Sequence, residues 1–336
     1  MTTVCGRLDD SAAPAPLRAR AYTLPPGVAL TKEIILGDVN AIASPRKFIE
    51  VLAKRTASSP PEFCFDLPIG SELSVFAFAD MDGDGRYDAS TEPSGWMRNE
   101  TSGPPVSVTV RATAPRQELP SAIALYGLTQ FVEGTTTNGT LKRSKDGRYW
   151  QMRLSGTGPQ RAHAHGYLAA RQVVEFFRFF ILESVVKSAA RYAEDVAPAF
   201  RQRFTQYKDP EFVAEATALL EGMRARAAAD GEPELMHVAE LKRDFGFDDL
   251  FAINAYDAFE SWSCSQLVAW GARTSDGETL TARNMDGETD LRHATVAFVL
   301  LFAHAAVPSS PGAKSFVSIM WPGHLGSFSM LSEDGI

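Results

Sequence analysis

Cysteine is scarce in this chain, with three among 336 residues. Three thiols cannot build the multi-bridge framework that staples small secreted folds. Basic residues are not in excess either. Lys and Arg number 33 against 41 Asp and Glu, a formal charge of −8. That balance argues against a nucleic-acid partner, because phosphate binding needs clustered cations. No run reaches the ~18 uncharged apolar residues that a membrane helix requires. The most apolar segment, VVEFFRFFILESVV from 173 to 186, carries Glu175, Arg178 and Glu183. It reads as a core helix, and no membrane span is expected. The amino terminus, MTTVCGRLDDSAAP, lacks the basic-then-apolar order of an export signal in this numbering. What is present is an ordinary globular composition, 45% hydrophobic and 22% charged, on a chain long enough for two or three domains.

Texture divides the chain. Residues 1–115 are rich in Pro, Gly, Ser and Thr, with short alternating runs at 17–22, 63–67, 73–79 and 106–112. Short strands between turn residues predict a β-sandwich module. It is loosely similar to the transthyretin-like or immunoglobulin-like modules attached to secreted bacterial enzymes. The one helix expected there lies around Pro45 to Lys54. Cys5 and Cys64 sit in the strand-like TVCGRL and FCFDL. Two readings stay open: neighbours bonded in an oxidising compartment, or buried thiols on separate strands. Either way Cys264 is left unpaired.

The stretch ADMDGDGRYDASTEP, 79–93, alternates Asp80, Asp82 and Asp84, then offers Gly85, Asp88 and Glu92. A hard cation such as Ca²⁺ takes six to eight oxygens, which alternate carboxylates on a tight loop supply. The twelfth position is Thr91 and SVFAFA before it looks like a strand, so the loop departs from the helix–loop–helix sensor. It resembles calcium loops inside extracellular β-domains. A structural Ca²⁺ held by Asp80, Asp82, Asp84, Asp88 and Glu92 is expected; a solvated acidic turn is the competing reading.

Residues 116–263 read as connecting strands, near 123–132 and 148–154, followed by helices. Apolar residues at spacings of three and four (Leu168, Val173, Phe176, Phe177, Phe180, Ile181, Val185) predict a helix over 167–193. Further helices are expected at 210–229, after KDP, then at 233–243 and 248–260. His163 and His165 share a face only in a strand, and no third ligand is near. Packing at a helix entry is favoured over zinc.

Around the third cysteine the chain reads SWSCSQLVAWG, then TSDGET, then TLTARNMDG. Asp276-Gly277 between two strand-like runs is a strong hairpin signal. A two-residue loop there puts Leu267 opposite Asp286 and gives Arg283 the face of Cys264. A one-residue slip puts Asn284 and Asp286 on that face instead. Cys264-Ser-Gln-Leu-Val-Ala-Trp-Gly, Asp276-Gly277 and Ala282-Arg283-Asn284-Met285-Asp286 resemble the start of the mature chain in N-terminal-nucleophile (Ntn) hydrolases. The similar lineage comprises bile-salt hydrolase, penicillin V acylase and acyl-coenzyme A:6-aminopenicillanic acid acyltransferase, with phospholipase B-like relatives. YWQMRLSGTGPQRAHAHGYL and DDLFAINAYD look like its pro-region, and SIMWPGHLGSFSMLSEDGI like a downstream strand pair. The resemblance spans about 145–336.

That resemblance implies an α+β chain in which the β-sandwich precedes an αββα sandwich. Residues 116–263 would form connecting strands and a helical pro-region, and 264–336 the start of the catalytic layers. It implies cleavage between Ser263 and Cys264, which frees an α-amine to act as base. Cys264 would then attack the amide or ester carbonyl of a small acylated substrate. Asp286 would hold the new amine, Arg283 would favour the thiolate, and Asn284 would fix the hairpin or touch substrate. Two departures stand out. Residue 263 is Ser where Gly is more familiar. Only 73 residues run from Cys264 to Ile336, so the sandwich is expected to be incomplete at its carboxyl end. An extracytoplasmic or secreted location is expected. The competing class is a secreted, non-enzymatic binding or adhesion protein with a calcium-stabilised β-module and a degenerate Ntn-like scaffold.

Overall fold

Period-two alternation of small and apolar residues builds the amino-terminal half. The computed structural model describes residues 1–9, 15–24, 48–56, 59–87, 92–98, 106–112, 115–125, 129–145, 149–186, 188–206, 209–256, 264–269, 271–278, 280–285, 300–305, 314–327 and 329–334. Its first ten strands are β1 (Thr2–Asp9), β2 (Leu17–Leu24), β3 (Phe48–Leu52), β4 (Lys54–Thr56), β5 (Ser59–Leu67), β6 (Glu72–Ala79), β7 (Ser94–Trp96), β8 (Val108–Thr109), β9 (Gln117–Glu118) and β10 (Ile123–Ala124). One sheet runs β10-β1-β5-β4, with β9 also on β1. The other runs β3-β2-β6-β7, with β8 on β6. Val4, Leu8, Phe63, Phe65 and Leu67 of the first share one core with Leu17, Ala19, Ala21, Leu73, Val75 and Ala77 of the second. The opposite face of β6 is covered too. Phe76 and Phe78 pack with Tyr87, and Phe76 and Tyr22 with Trp96.

Cys5 stands directly opposite Cys64 in the β1–β5 ladder, and a disulfide joins them. Of the two open readings, the bonded pair is the one observed. The described part of the helix expected at 45–54 is strand. Phe48–Leu52 pairs antiparallel with β2 from Arg18↔Leu52 to Tyr22↔Phe48. Aromatic and β-branched residues at alternate positions suit a pleated surface better than a short helix.

The second half is mixed. It contains β11 (Gly134–Thr136), β12 (Gly139–Arg143), β13 (Trp150–Leu154), α1 (Gly158–Phe176), α2 (Ala197–Gln206), α3 (Pro210–Asp230), β14 (His237–Val238), β15 (Arg243–Asp244), α4 (Phe247–Ala255), β16 (Cys264–Ala269), β17 (Leu280–Met285), β18 (Leu300–His304), β19 (Phe316–Met320) and β20 (Ser329–Ser332). A six-stranded sheet runs β11-β12-β13-β18-β19-β20. Leu141, Met152, Leu154, Leu300, Phe302 and Met320 of this sheet join the helical residues in a single core.

Helix α1 begins well before the expected position. Thr157 caps it by accepting from Gln160 N, the Gln160 side chain accepts from Thr157 N, and Pro159 sits in the first turn. This reciprocal cap outweighs the absence of apolar periodicity in the first two turns. Beyond Phe176 the chain continues as a wider π-type helix over Phe177–Val186. Helix α3 is the expected one, with Asp209 as N-cap and Gly231 at φ 68° closing it. The expected helix at 233–243 is instead two short 3₁₀ turns around the β14–β15 ladder. Among the described residues near 123–132, strand structure is limited to β10. Among the described residues no helix is long and apolar enough to cross a membrane.

Two glycines set how α1 and α3 meet. A Cβ at Gly166 would collide with the Leu219 carbonyl, and one at Gly222 with the His163 carbonyl. The two helices therefore touch backbone to backbone. Overpacking such a contact costs about 1–3 kcal/mol. Gly166→Ala and Gly222→Ala should each lower the urea midpoint by a shift worth roughly 2 kcal/mol. An unchanged midpoint in both variants would show that the helices do not meet there.

Candidate functional site

The hairpin that carries the third cysteine is antiparallel. Cys264 pairs with Met285, Gln266 with Arg283, and Ala269 with Leu280. Ala269↔Leu280 is the last described pair, so Asp276-Gly277 is not a two-residue turn between the strands. Those two residues close a local loop instead. Asp276 accepts from Glu278 N, Gly277 sits at φ 79°, and Gly271 N donates to Gly277 O. An Asx turn satisfies the same residues without ending the hairpin. The register differs from the two-residue-loop reading by an even number of positions. Parity thus assigns positions 264 and 283 to one face of the ladder and 284 to the other. Cys264, Arg283 and Asn284 lie in this ladder; Ser263 and Asp286 lie outside the described residues. Among the described residues the two strands form a sheet of their own, on which Leu267, Val268 and Leu280 are exposed.

A second assembly centres on the turn after β19. The turn after β19 places Gly323 at φ 86°, and three polar contacts converge there. Gly323 N donates to His165 Nε2 at 3.0 Å. Asn254 Nδ2 donates to Gly323 O at 2.9 Å, and Leu325 N donates to Asn254 Oδ1 at 2.8 Å. Trp321 stacks on Phe176, while His324 stands edge-on to Phe176 and Tyr256. The stretches entering α1, in α4 and after β19 thus meet at one turn. The other end of α4 is fixed by Asp249. This fully buried carboxylate accepts from both terminal nitrogens of Arg243, from Tyr192 OH and from Gly246 N. Burial and the Asp249 charge push the Tyr192 phenol up. Asp249, Asn254 and Gly323 were not singled out as site residues from the sequence. The Pro322-Gly323 dipeptide was the available signal.

His163 and His165 lie in α1 rather than in a strand. His165 serves as a hydrogen-bond acceptor inside the core, the packing role expected for it. Burial, with His304 and His324 nearby, holds His165 down to about 3. Burial lowers His304 to about 4 and His324 to about 3.

On the sheet face away from α1, Gln151, Arg153, Ala303, Val317 and Leu331 line an open groove of about 880 Å³, with Glu333 at its rim.

The acidic loop follows β6. One carboxylate oxygen each from Asp80, Asp82 and Asp84 lies within 4.8 Å of the others. Asp80 is 0% exposed. Its Oδ2 accepts from Arg18 Nε at 2.6 Å and from Gly85 N at 3.2 Å. Burial opposes ionisation of Asp80, but the Arg18 and Gly85 hydrogen bonds outweigh it and leave the carboxyl below its ordinary value. Glu92 is buried and accepts from Met81 N. Asp88 lies outside the described residues. No family model matches the chain, and neither does any curated protein or solved structure.

Buried His165 and His324, with half-buried His304, generate a pH prediction. In the folded chain they stay neutral, whereas in the unfolded chain they take up protons near pH 6.5. The folded state then binds fewer protons, so stability rises with pH. It is fully present above about 6.5 and is lost as pH falls through that value toward 4 and then 3. The expected slope between pH 6.5 and 5 is up to about 1.4 kcal/mol per unit for each histidine. Glu175, whose carboxyl is raised by burial, acts with the opposite sign. Thermal melts between pH 7.5 and 5 check this. His165→Gln keeps an acceptor for Gly323 and should flatten the slope; an equally steep slope in that variant refutes the assignment.

Proposed function

We propose that the chain is a self-processing cysteine hydrolase or acyltransferase of the Ntn type, acting on linear amides of small acylated substrates. One observation carries this reading. The three stretches similar to that lineage converge on the Gly323 turn and anchor the helix that ends shortly before Cys264. The hairpin register adds support, since Arg283 keeps the parity of Cys264. The six-stranded sheet packs helices on one face and leaves a groove lined by apolar and polar side chains on the other. This is the layering that an αββα sandwich would use, with β16 and β17 belonging to its second sheet. Two amino-terminal sheets over one core support the β-sandwich reading. The Cys5–Cys64 bridge supports an extracytoplasmic or secreted location.

The chemistry follows from the thiol. The Cys264 sulfur attacks the Ser263 carbonyl; the C–N bond breaks, a thioester forms, and the α-amine takes up a proton. Water hydrolyses the thioester and leaves a new carboxylate. The freed amine has a pKa near about 8, close enough to the thiol's about 8.5 to accept its proton. The thiolate then attacks an amide carbonyl, releases the amine and forms an acyl-enzyme that water or a second amine resolves. Arg283 favours the thiolate, Asp286 holds the α-amine, and Asn284 fixes the hairpin or touches substrate.

Intact-mass analysis of the complete translation product tests the reading. Two fragments are expected, one beginning at Cys264, and Cys264→Ala should leave a single chain. Arg283→Met should slow acylation by an active-ester probe at least about tenfold. A single chain that is inert to the probe sinks the enzyme reading and favours the non-enzymatic binding protein.

A further inference from the structure

We infer that the loop Asp80–Gly85 is a structural site for a hard divalent cation, and that the cation is calcium. The buried end of the loop carries the decisive atom. Asp80 is 0% exposed and its Oδ2 is taken by Arg18 and Gly85. Its Oδ1 is buried and, among the described residues, has no hydrogen-bond partner. A buried charged acceptor without a partner is costly, and such an atom in a folded protein calls for an ion or water.

The local charge selects an ion. Asp80, Asp82, Asp84, Glu92 and Glu50 gather around this loop, whereas Arg18 and Arg20 are the guanidiniums bonded into it. Among the described residues, five carboxylates thus meet the two guanidiniums bonded to them, with Arg86 exposed at the rim. Arg18 Nε holds the Oδ2 side of Asp80 and Arg18 NH1 holds Glu50, so neither reaches the orphaned oxygen. A divalent cation at Oδ1 would offset most of the remaining excess. Asp82 and Asp84 are exposed and within reach, and water completes the shell. Every donor here is oxygen, without His or Cys. That set suits Ca²⁺ and disfavours zinc or copper. Ca²⁺ also tolerates an irregular, partly hydrated shell, whereas Mg²⁺ demands near-ideal octahedral geometry.

The ion would do mechanical work. The same loop leads into Tyr87, whose ring closes the aromatic cluster on β6 and whose hydroxyl bonds Ser94 in β7. Occupancy therefore ties the loop down over the outer face of the amino-terminal sheet. None of these residues belongs to the hairpin chemistry.

The test uses the full chain, stripped with chelator and titrated with CaCl₂ by calorimetry and thermal melting. Binding with a dissociation constant of roughly 0.1–1 mM or tighter is expected. At ten times that constant the amino-terminal transition should rise by about 5 °C. Asp82→Asn with Asp84→Asn alters exposed side chains only, so folding is preserved, and affinity should drop at least about tenfold. Asp80→Asn should abolish binding. Absence of heat and of any shift at 10 mM Ca²⁺ (about ten times the weakest constant expected) overturns the proposal. So does an equal response in the double variant, or an equal shift with Mg²⁺.

Discussion

The carboxyl-terminal half depends on a backbone-to-backbone contact between two helices. Gly166 in α1 and Gly222 in α3 leave no room for a side chain at their crossing. Close approach of this kind multiplies dispersion contacts along both helices, because every flanking residue also comes within reach. Ala162 and Ala170 on α1, and Ala218 on α3, continue the small-residue path on either side and are all buried. The long aromatic residues lie elsewhere, on the continuation of α1 toward Phe177 and Phe180. There they pack against Tyr192, Phe245 and Tyr256. Small residues fix the distance between the helices and large ones fill the space beyond it.

From that fixed pair the polar assembly follows. His165 is one residue from Gly166, so the crossing sets where its ring stands. The ring accepts from Gly323, and Gly323 in turn accepts from Asn254. The turn is thereby bonded directly to α1, and α4 is bonded to the turn. The His165 bond is buried and the Asn254 bond part-buried, and a partner removed from such a chain leaves a donor or acceptor poorly reached by water. Farther along α1, Gln172 donates to the Thr129 and Gln130 carbonyls, and Glu175 accepts from Thr129. Helix α1 is therefore the element to which the strands before it and the turn after β19 are both referenced.

Legibility in the sequence followed the range of the physics involved. The α+β character and the strands of β1, β2, β5 and β6 are local matters of alternation and composition. Helix α3 announced both ends, through Asp209 and Gly231. Two of the failures involve partners at a distance. FIEVL became a strand because β2 was there to receive it. The stretch 233–243 contains Leu235, Met236 and Val238, which the core claims individually, and helical continuity was lost. The onset of α1 was missed for a different reason. Its cap is polar, while the expectation rested on apolar spacing. At the candidate site the ladder holding Cys264, Arg283 and Asn284 was legible as a hairpin, but its register was not. The long connection around Asp276 satisfies its own hydrogen bonds, so the turn residues did not mark the turn. Asn254 and Gly323 were illegible as partners because nothing local links residues 69 positions apart.

The disulfide and the acidic loop illustrate the same rule from the other side. Cys5 and Cys64 each sat in a recognisable strand, yet only the β1–β5 register brings them opposite. A slip of one residue would turn both sulfurs to the other face, and a slip in one strand alone would separate them. The bond therefore records a register, and its covalent closure locks the pairing of the strand that also receives β9 and β10. In the loop, spacing alone gave the alternation of Asp80, Asp82 and Asp84. What spacing could not give is the inequality between them. Burial makes Asp80 the anchor and leaves Asp82 and Asp84 at the surface. An ion bound there would be held by one rigid oxygen and two adaptable ones. That combination favours a cation which accepts variable coordination over one which insists on a fixed shell.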